Sequence, residues 1–213
     1  MWSSSLETRL SMRKVKVEFH THTNYSDHVN TAFKKIIETC VEKHIDVLVI
    51  TDHGEVEGAE RLAHMAPFRV IIGEEILTSE GEIIGLFLRK KISNGLTFSQ
   101  TIKEIKKQKG LVYLPHPFDT ITRRTSAVQK SINENIDDID IVEIYNGRTL
   151  NPQHNRKAKE LAEEFRKITA IGSDAHTHYE YGRNYMIMDD FKNPSEFLKS
   201  LKLKFQQIPR KMQ

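Results

Sequence analysis

The stretch Glu18–Asp27, EFHTHTNYSD, sets two histidines and an aspartate where a β-strand runs out into a loop. If that strand continues through Val15–Phe19, His20 and His22 lie two residues apart on the same side of an extended backbone and can grip one cation. Asp27 follows as an oxygen donor. A lone His-x-His pair is a weak signal, because imidazoles on an exposed strand end are often only polar surface. Its weight comes from what recurs downstream: Thr51-Asp52-His53, Gly73-Glu74-Glu75, Pro115-His116-Pro117 and Gly172-Ser173-Asp174-Ala175-His176 each follow a β-branched or apolar run.

Those runs alternate with amphipathic stretches. After the first strand, residues 31–44 place Phe33, Ile36, Ile37, Cys40 and Val41 at helical spacing. Residues 46–50 are nearly all apolar, as in a strand buried on both faces. The pattern then predicts a helix over 56–65, strands over 69–72 and 81–88, a helix over 97–108 closed by Gly110, and a strand over 111–114. A helix over 126–135, a strand over 139–144, a helix over 152–167 and a last buried strand over 168–171 follow. This is β/α repeated about seven times, which implies parallel strands joined by right-handed crossovers, in a closed barrel or an open doubly wound sheet. His20, His22, His53, Glu75, His116, Asp174 and His176 all fall at or just past the C-terminal end of a strand. A barrel brings those ends to one mouth, whereas an open sheet spreads them along a crevice, so closure is favoured.

Nitrogen and carboxylate donors without thiolate suit zinc, manganese or iron, and more than four of them point to two or three divalent ions in one cluster. Such a cluster would lower the pKa of a shared water to roughly 7 and neutralise a phosphate in its transition state, with no protein nucleophile required. A serine hydrolase lacks support, since no Gly-x-Ser-x-Gly is present, and no Gly-rich phosphate loop occurs. Cys40 is the only cysteine, which excludes an intramolecular disulfide and a thiolate zinc site. The 213 residues, 38% hydrophobic, suffice for one sizeable core. The expected organisation is an extension over residues 1–12 followed by a single barrel domain over 13–213. The net charge of +3, with Lys103, Lys106, Lys107 and Lys109 on a solvated helix face, is no nucleic-acid footprint. No run of 18 apolar residues and no apolar signal centre near the N-terminus occur, so a cytoplasmic protein without a membrane partner is expected.

The five motifs, in this order, resemble those of the PHP superfamily, the polymerase and histidinol phosphatase domain, over about residues 15–191. Gly81–Phe87 and Leu114–Asp119 bring the resemblance closest to compact stand-alone metal-dependent phosphoesterases. It implies a distorted (β/α)7 TIM-like barrel with a metal cluster at the C-terminal mouth, and phosphate-ester hydrolysis. It further implies that His20, His22, Glu75 and Asp174 hold one ion, that Glu75 bridges to a second ion bound by His116, and that Asp27, His53 and His176 hold a third. Where some relatives have a histidine on the fourth strand this chain has Glu82, and His28 stands where glycine is common after the aspartate.

A phosphate also needs cationic donors, for which an arginine fork suits best. Arg148, just past the sixth strand, leads; Arg123 and Arg124 follow, then Arg183. Asn146, beside Arg148, could touch a metal or orient substrate. His44, His64, His154 and His178 read as surface or turn residues. The expected substrate is a small phosphorylated molecule, a nucleotide or a short oligonucleotide, with no obligate protein partner. Two other readings remain open: an amidohydrolase cleaving a C–N bond, disfavoured by the absence of a lysine suited to carbamylation on the fourth strand, and a non-catalytic module binding nucleic acid or a polymerase. The tail over 194–208 reads as one more amphipathic helix, covering the barrel bottom or an interface.

Overall fold

The computed structural model describes residues 13–121 and 125–202 and the backbone of 205–207. The extension over 1–12, and Arg123 and Arg124, lie outside the described residues. The chain forms β1 (Lys14–Thr21), α1 (Phe33–Glu42), β2 (Val47–Ile50), α2 (Glu57–Met65), β3 (Arg69–Thr78), β4 (Gly81–Leu86), α3 (Phe98–Lys107) and β5 (Leu111–Leu114). Then come α4 (Gln129–Asn135), β6 (Ile141–Asn146), α5 (Pro152–Glu164), β7 (Ile168–Ala175), β8 (Tyr185–Asp189), α6 (Pro194–Lys202) and β9 (Phe205–Gln207). Strands pair in the order β2-β3-β4-β5-β6-β7-β1, and β1 pairs with β2, so seven strands close into a barrel. The all-apolar β2 is buried at every residue, with Val47 and Val49 in the main core and Leu48 and Ile50 against α1 and α2. The start of α3 follows from its sequence: Thr97 accepts from the Gln100 N–H and the Gln100 side chain reaches back to the Thr97 N–H, a capping box.

One strand runs against the expectation of an all-parallel barrel. β4 is antiparallel to both β3 and β5. Only Ser79 and Glu80 separate Thr78 from its partner Gly81, and two residues can close a hairpin, whereas a parallel return needs about a dozen or more. β4 therefore starts at the mouth, where the other barrel strands end. Two differences concern the C-terminal part. β8, which the sequence pattern does not announce, adds antiparallel to the first half of β1. The expected tail helix stops at Lys202, and residues 205–207 pair with β8 as a strand.

The bottom of the barrel is closed by aromatic rings. Phe197 of α6 is fully buried, with ring centroids 5.7 Å from Phe19, 5.2 Å from Phe87 and 4.9 Å from Phe191. Of the two roles open to the tail, it takes the bottom cover.

Candidate metal centre at the barrel mouth

β1 presents its first candidate donor by breaking its own alternation. Val15, Val17 and Phe19 face the core, so a regular strand would turn His20 and His22 away from it. Instead three steps on β1, Glu18 to Thr21, match two on β2, Leu48 to Ile50, and His20 has a left-handed φ of 56°. This bulge swings His20 inward. Next to it, Gly172 to Ala175 on β7 spans three steps against two on β1, and Asp174 has a φ of 54°. His116 is likewise left-handed, at 24°. Such conformations cost a non-glycine residue about 1–3 kcal/mol each and concentrate at functional sites.

Glu75, on β3, is the hub. Its Oε2 lies 3.3 Å from His20 Nε2, 3.4 Å from His22 Nε2 and 3.2 Å from His53 Nδ1, while Oε1 accepts from His116 Nε2 at 3.0 Å. Asp174 Oδ1 is 3.4 Å from His22 Nε2 and 3.4 Å from His176 Nδ1. Glu82 Oε2 stands 3.8 Å from His116 Nε2. Four overlapping groups bring their donor atoms within 4.8 Å of one another, close enough to share an ion: His20, His22 and Glu75; His20, His116 and Asp174; His22, His53 and His176; and His53, Glu75 and Glu82. Asp27 is exposed and belongs to none of these; beside His53 and His176 stands His22.

His20 and His22 are each aimed by a buried neighbour. His20 Nδ1 lies 2.8 Å from Glu143 Oε2, which also accepts from the Tyr113 hydroxyl at 2.6 Å. His22 Nδ1 meets Ser26 Oγ at 3.2 Å, and Ser26 donates to Asp52 at 2.7 Å. Both arrangements leave the Nε2 atoms facing Glu75. Asp52 is thus an anchor: it also accepts from Thr23 N and Thr23 Oγ1, and a Cβ on Gly58 would fall 2.2 Å from its Oδ2. Gly172 leaves room in the same way for the Glu143 carboxylate, 2.4 Å from where its Cβ would be.

The electrostatics ask for cations. Burial alone would lower the His20 imidazole, but the Glu75 and Glu143 carboxylates outweigh it and raise it to about 9. Glu75 is held well below the usual carboxylate range despite burial, by charged His20 and the hydrogen bond from His116. His22 goes the other way, driven well down by burial, and its buried Nε2 has no hydrogen-bond partner. Burial, then the Arg148 guanidinium, lowers His176 to about 3. Glu75, Glu82, Asp174 and Glu143 are all buried, and buried carboxylates in such number need positive charge to hold them there. Divalent ions coordinated by oxygen and imidazole nitrogen fit this donor set.

The other candidates divide. The Asn146 amide is committed within the protein, its nitrogen donating to Glu143 at 2.6 Å and Asp174 at 3.2 Å and its oxygen accepting from Arg148 N, so it braces Asp174. Arg148, partly exposed, lies 3.6 Å from Glu180 Oε1. Arg183 is exposed. Sequence reasoning missed Glu143, although a single acid inside Ile141-Val142-Glu143-Ile144 was a usable sign, and missed Glu180, which carries none. Among the described residues no helix is long and apolar enough to cross a membrane.

Fold and site together define a barrel protein whose mouth is built to hold metal. The PHP domain family model matches residues 18–202. A relative, the uncharacterized protein MJ0417 of Methanocaldococcus jannaschii, is 33% identical over 203 residues, covering 91% of this chain and 82% of its own. The fold is shared with a Bifidobacterium adolescentis protein provisionally named a metal-dependent phosphoesterase, at TM-score 0.64 and 13% identity, over 87% of this chain and 95% of that one. It is shared too with Endonuclease Q, solved with a duplex carrying an abasic lesion at its active site, at TM-score 0.66 and 15% identity, over 89% of this chain and 57% of that one. The chain belongs to the PHP domain family.

Proposed function

We propose that the protein is a cytoplasmic, metal-dependent phosphoesterase acting on a phosphomonoester or on a nucleotide or oligonucleotide phosphodiester, with no obligate protein partner. The observation that carries this reading is Glu75, whose two oxygens face different histidines and so suit a bridge between neighbouring ions. His20, His22 and Asp174 would complete one site, His116 with Glu82 a second, and His53 with His176 a third. Two or three ions of manganese, zinc or iron there would activate water and neutralise phosphate charge.

The chain's own groups do the rest. Glu143 and Ser26 would fix the tautomers of His20 and His22 by accepting a hydrogen bond from Nδ1–H, which turns Nε2 toward Glu75. Asn146 holds Asp174, and the Arg148 guanidinium at the rim gives a phosphate a planar donor once it releases Glu180.

The test is metal analysis of the purified protein together with a hydrolysis screen, with and without added Mn²⁺, over p-nitrophenyl phosphate, its bis-ester, nucleotides and short oligonucleotides. Two or more bound ions per chain and metal-dependent phosphate release are expected. Bound metal with amide but no ester hydrolysis would transfer the site to C–N chemistry, and a protein that takes up no metal would leave a binding module.

A further inference from the structure

Glu18, two residues before His20, is fully buried yet belongs to none of the four donor groups. It sits on the face of β1 opposite Val17 and Phe19, so its carboxylate points away from the barrel core. Oε1 accepts from the Ser173 hydroxyl of β7, and Oε2 accepts at 2.7 Å from Gly182 N, in the loop that leads to β8. Both strands leave register at this contact: β1 takes its extra step between Glu18 and Thr21, and β7 takes one between Gly172 and Ala175. The hydrogen bond thus crosses the strand pair on the outer face, where the two bulges carry His20 and Asp174 on the inner one. The loop completes the arrangement. Gly182 has a φ of 69°, and a Cβ there would run into the Lys43 side chain. Tyr181, fully buried, donates from its hydroxyl to the His22 carbonyl at 2.5 Å, and its own carbonyl accepts from Lys43 Nζ at 2.7 Å. Filling the space behind β1 for stability alone asks for an apolar side chain, since a buried carboxylate has to be compensated, and the left-handed backbone at His20 and Asp174 is strained as well. What the acid adds is direction, because it fixes which way the two bulges turn.

We propose that Glu18 is a positioning residue of the metal centre: through Ser173 it clamps the paired bulges of β1 and β7 and keeps His20 and Asp174 turned inward. The proposal rests on the metal-dependent reading of the mouth and is independent of which ester is cleaved.

The experiment titrates Mn²⁺ into EDTA-stripped protein by calorimetry. Glu18→Leu, which fills the same space without an acceptor, and Ser173→Ala, which deletes one hydroxyl, should each weaken Mn²⁺ binding by about tenfold. The double variant should lose no more than either single one, because both remove the same hydrogen bond. Glu18→Gln should return the affinity to within about twofold of the wild type: its amide can accept from Gly182 N and donate to Ser173 Oγ, whose own proton has the Asn184 carbonyl 3.2 Å away. Unchanged affinity in Glu18→Leu and Ser173→Ala would reduce Glu18 to packing and overturn the clamp. So would equal losses in Glu18→Leu and Glu18→Gln, which would assign the effect to charge, or additive losses in the double variant. If the wild type binds Mn²⁺ but cleaves no ester, the phosphoesterase reading fails and the affinities still decide the clamp; a wild type that binds no Mn²⁺ removes the clamp along with the metal centre.

Discussion

The two ends of the barrel solve opposite problems with the same strands. At the mouth, imidazoles and carboxylates are buried at close quarters, three of them on left-handed backbone. At the bottom, Phe19, Phe87, Phe191 and Phe197 fill the closure. The charges there pair where water reaches them, Arg69 meeting Asp190 at 2.7 Å and stacking on Phe191 at 4.1 Å. The mouth is costly to hold together without cations, whereas the bottom gains from every ring it buries. Stability and chemistry are therefore separable along the barrel axis, and substitutions at the two ends should fail in different assays.

The largest effect expected is on activity alone. His20→Ala or Glu75→Ala should lower kcat/KM by about a thousandfold or more with the circular dichroism of a folded barrel retained, since each removes a donor shared by the central groups. Retained activity in both purified variants would break the comparison from the mouth side. Next, Phe197→Ala should cost about 3–5 kcal/mol in urea unfolding while the folded fraction keeps its kcat; a fall in kcat at full folding would show that the ends are coupled. Glu143→Gln tests the layer between: metal affinity, titrated with Mn²⁺ or Zn²⁺, should drop about 10–100-fold with a near-normal melting temperature for the metal-free protein. The smallest effect is that of Arg148→Ala, which should raise KM for a phosphate ester about tenfold and leave kcat nearly unchanged, as read from initial rates.

How much of this was legible beforehand depended on whether the signal was local. The candidate donors His20, His22, His53, Glu75, His116, Asp174 and His176 could be placed at one end of the barrel because each strand ends in its own short motif, and closure could be inferred because so many candidates shared that end. The company each donor keeps is a matter of three dimensions: the family resemblance implied Asp27 beside His53 and His176, while in the structure the nitrogen within reach of those two is that of His22. β8 escaped because Tyr185–Asp189 is rich in methionine rather than β-branched residues, and its ladder to β1 joins segments over 160 residues apart, Lys14 pairing with Asp189. The bulges at His20 and Asp174 escaped for a similar reason, since register is a property of paired strands. The sequence argument put His20 and His22 on one side of an extended backbone, whereas His20 sits in the bulge at a φ of 56°, and it is from there that both Nε2 atoms come within 3.4 Å of Glu75.

The β3–β4 hairpin sets a limit on how this mouth can drift over evolutionary time. Loops after β1, β5 and β7 can lengthen beyond Ser26, His116 and His176 without moving the donors before those points, but Glu82 comes just after its turn, opposite Leu77. One residue gained or lost between Thr78 and Gly81 would shift the reading frame of β4 and put Ile83 or Gly81 where Glu82 now faces the cluster. Lineages of this barrel should therefore tolerate insertions almost anywhere around the rim except at Ser79 and Glu80.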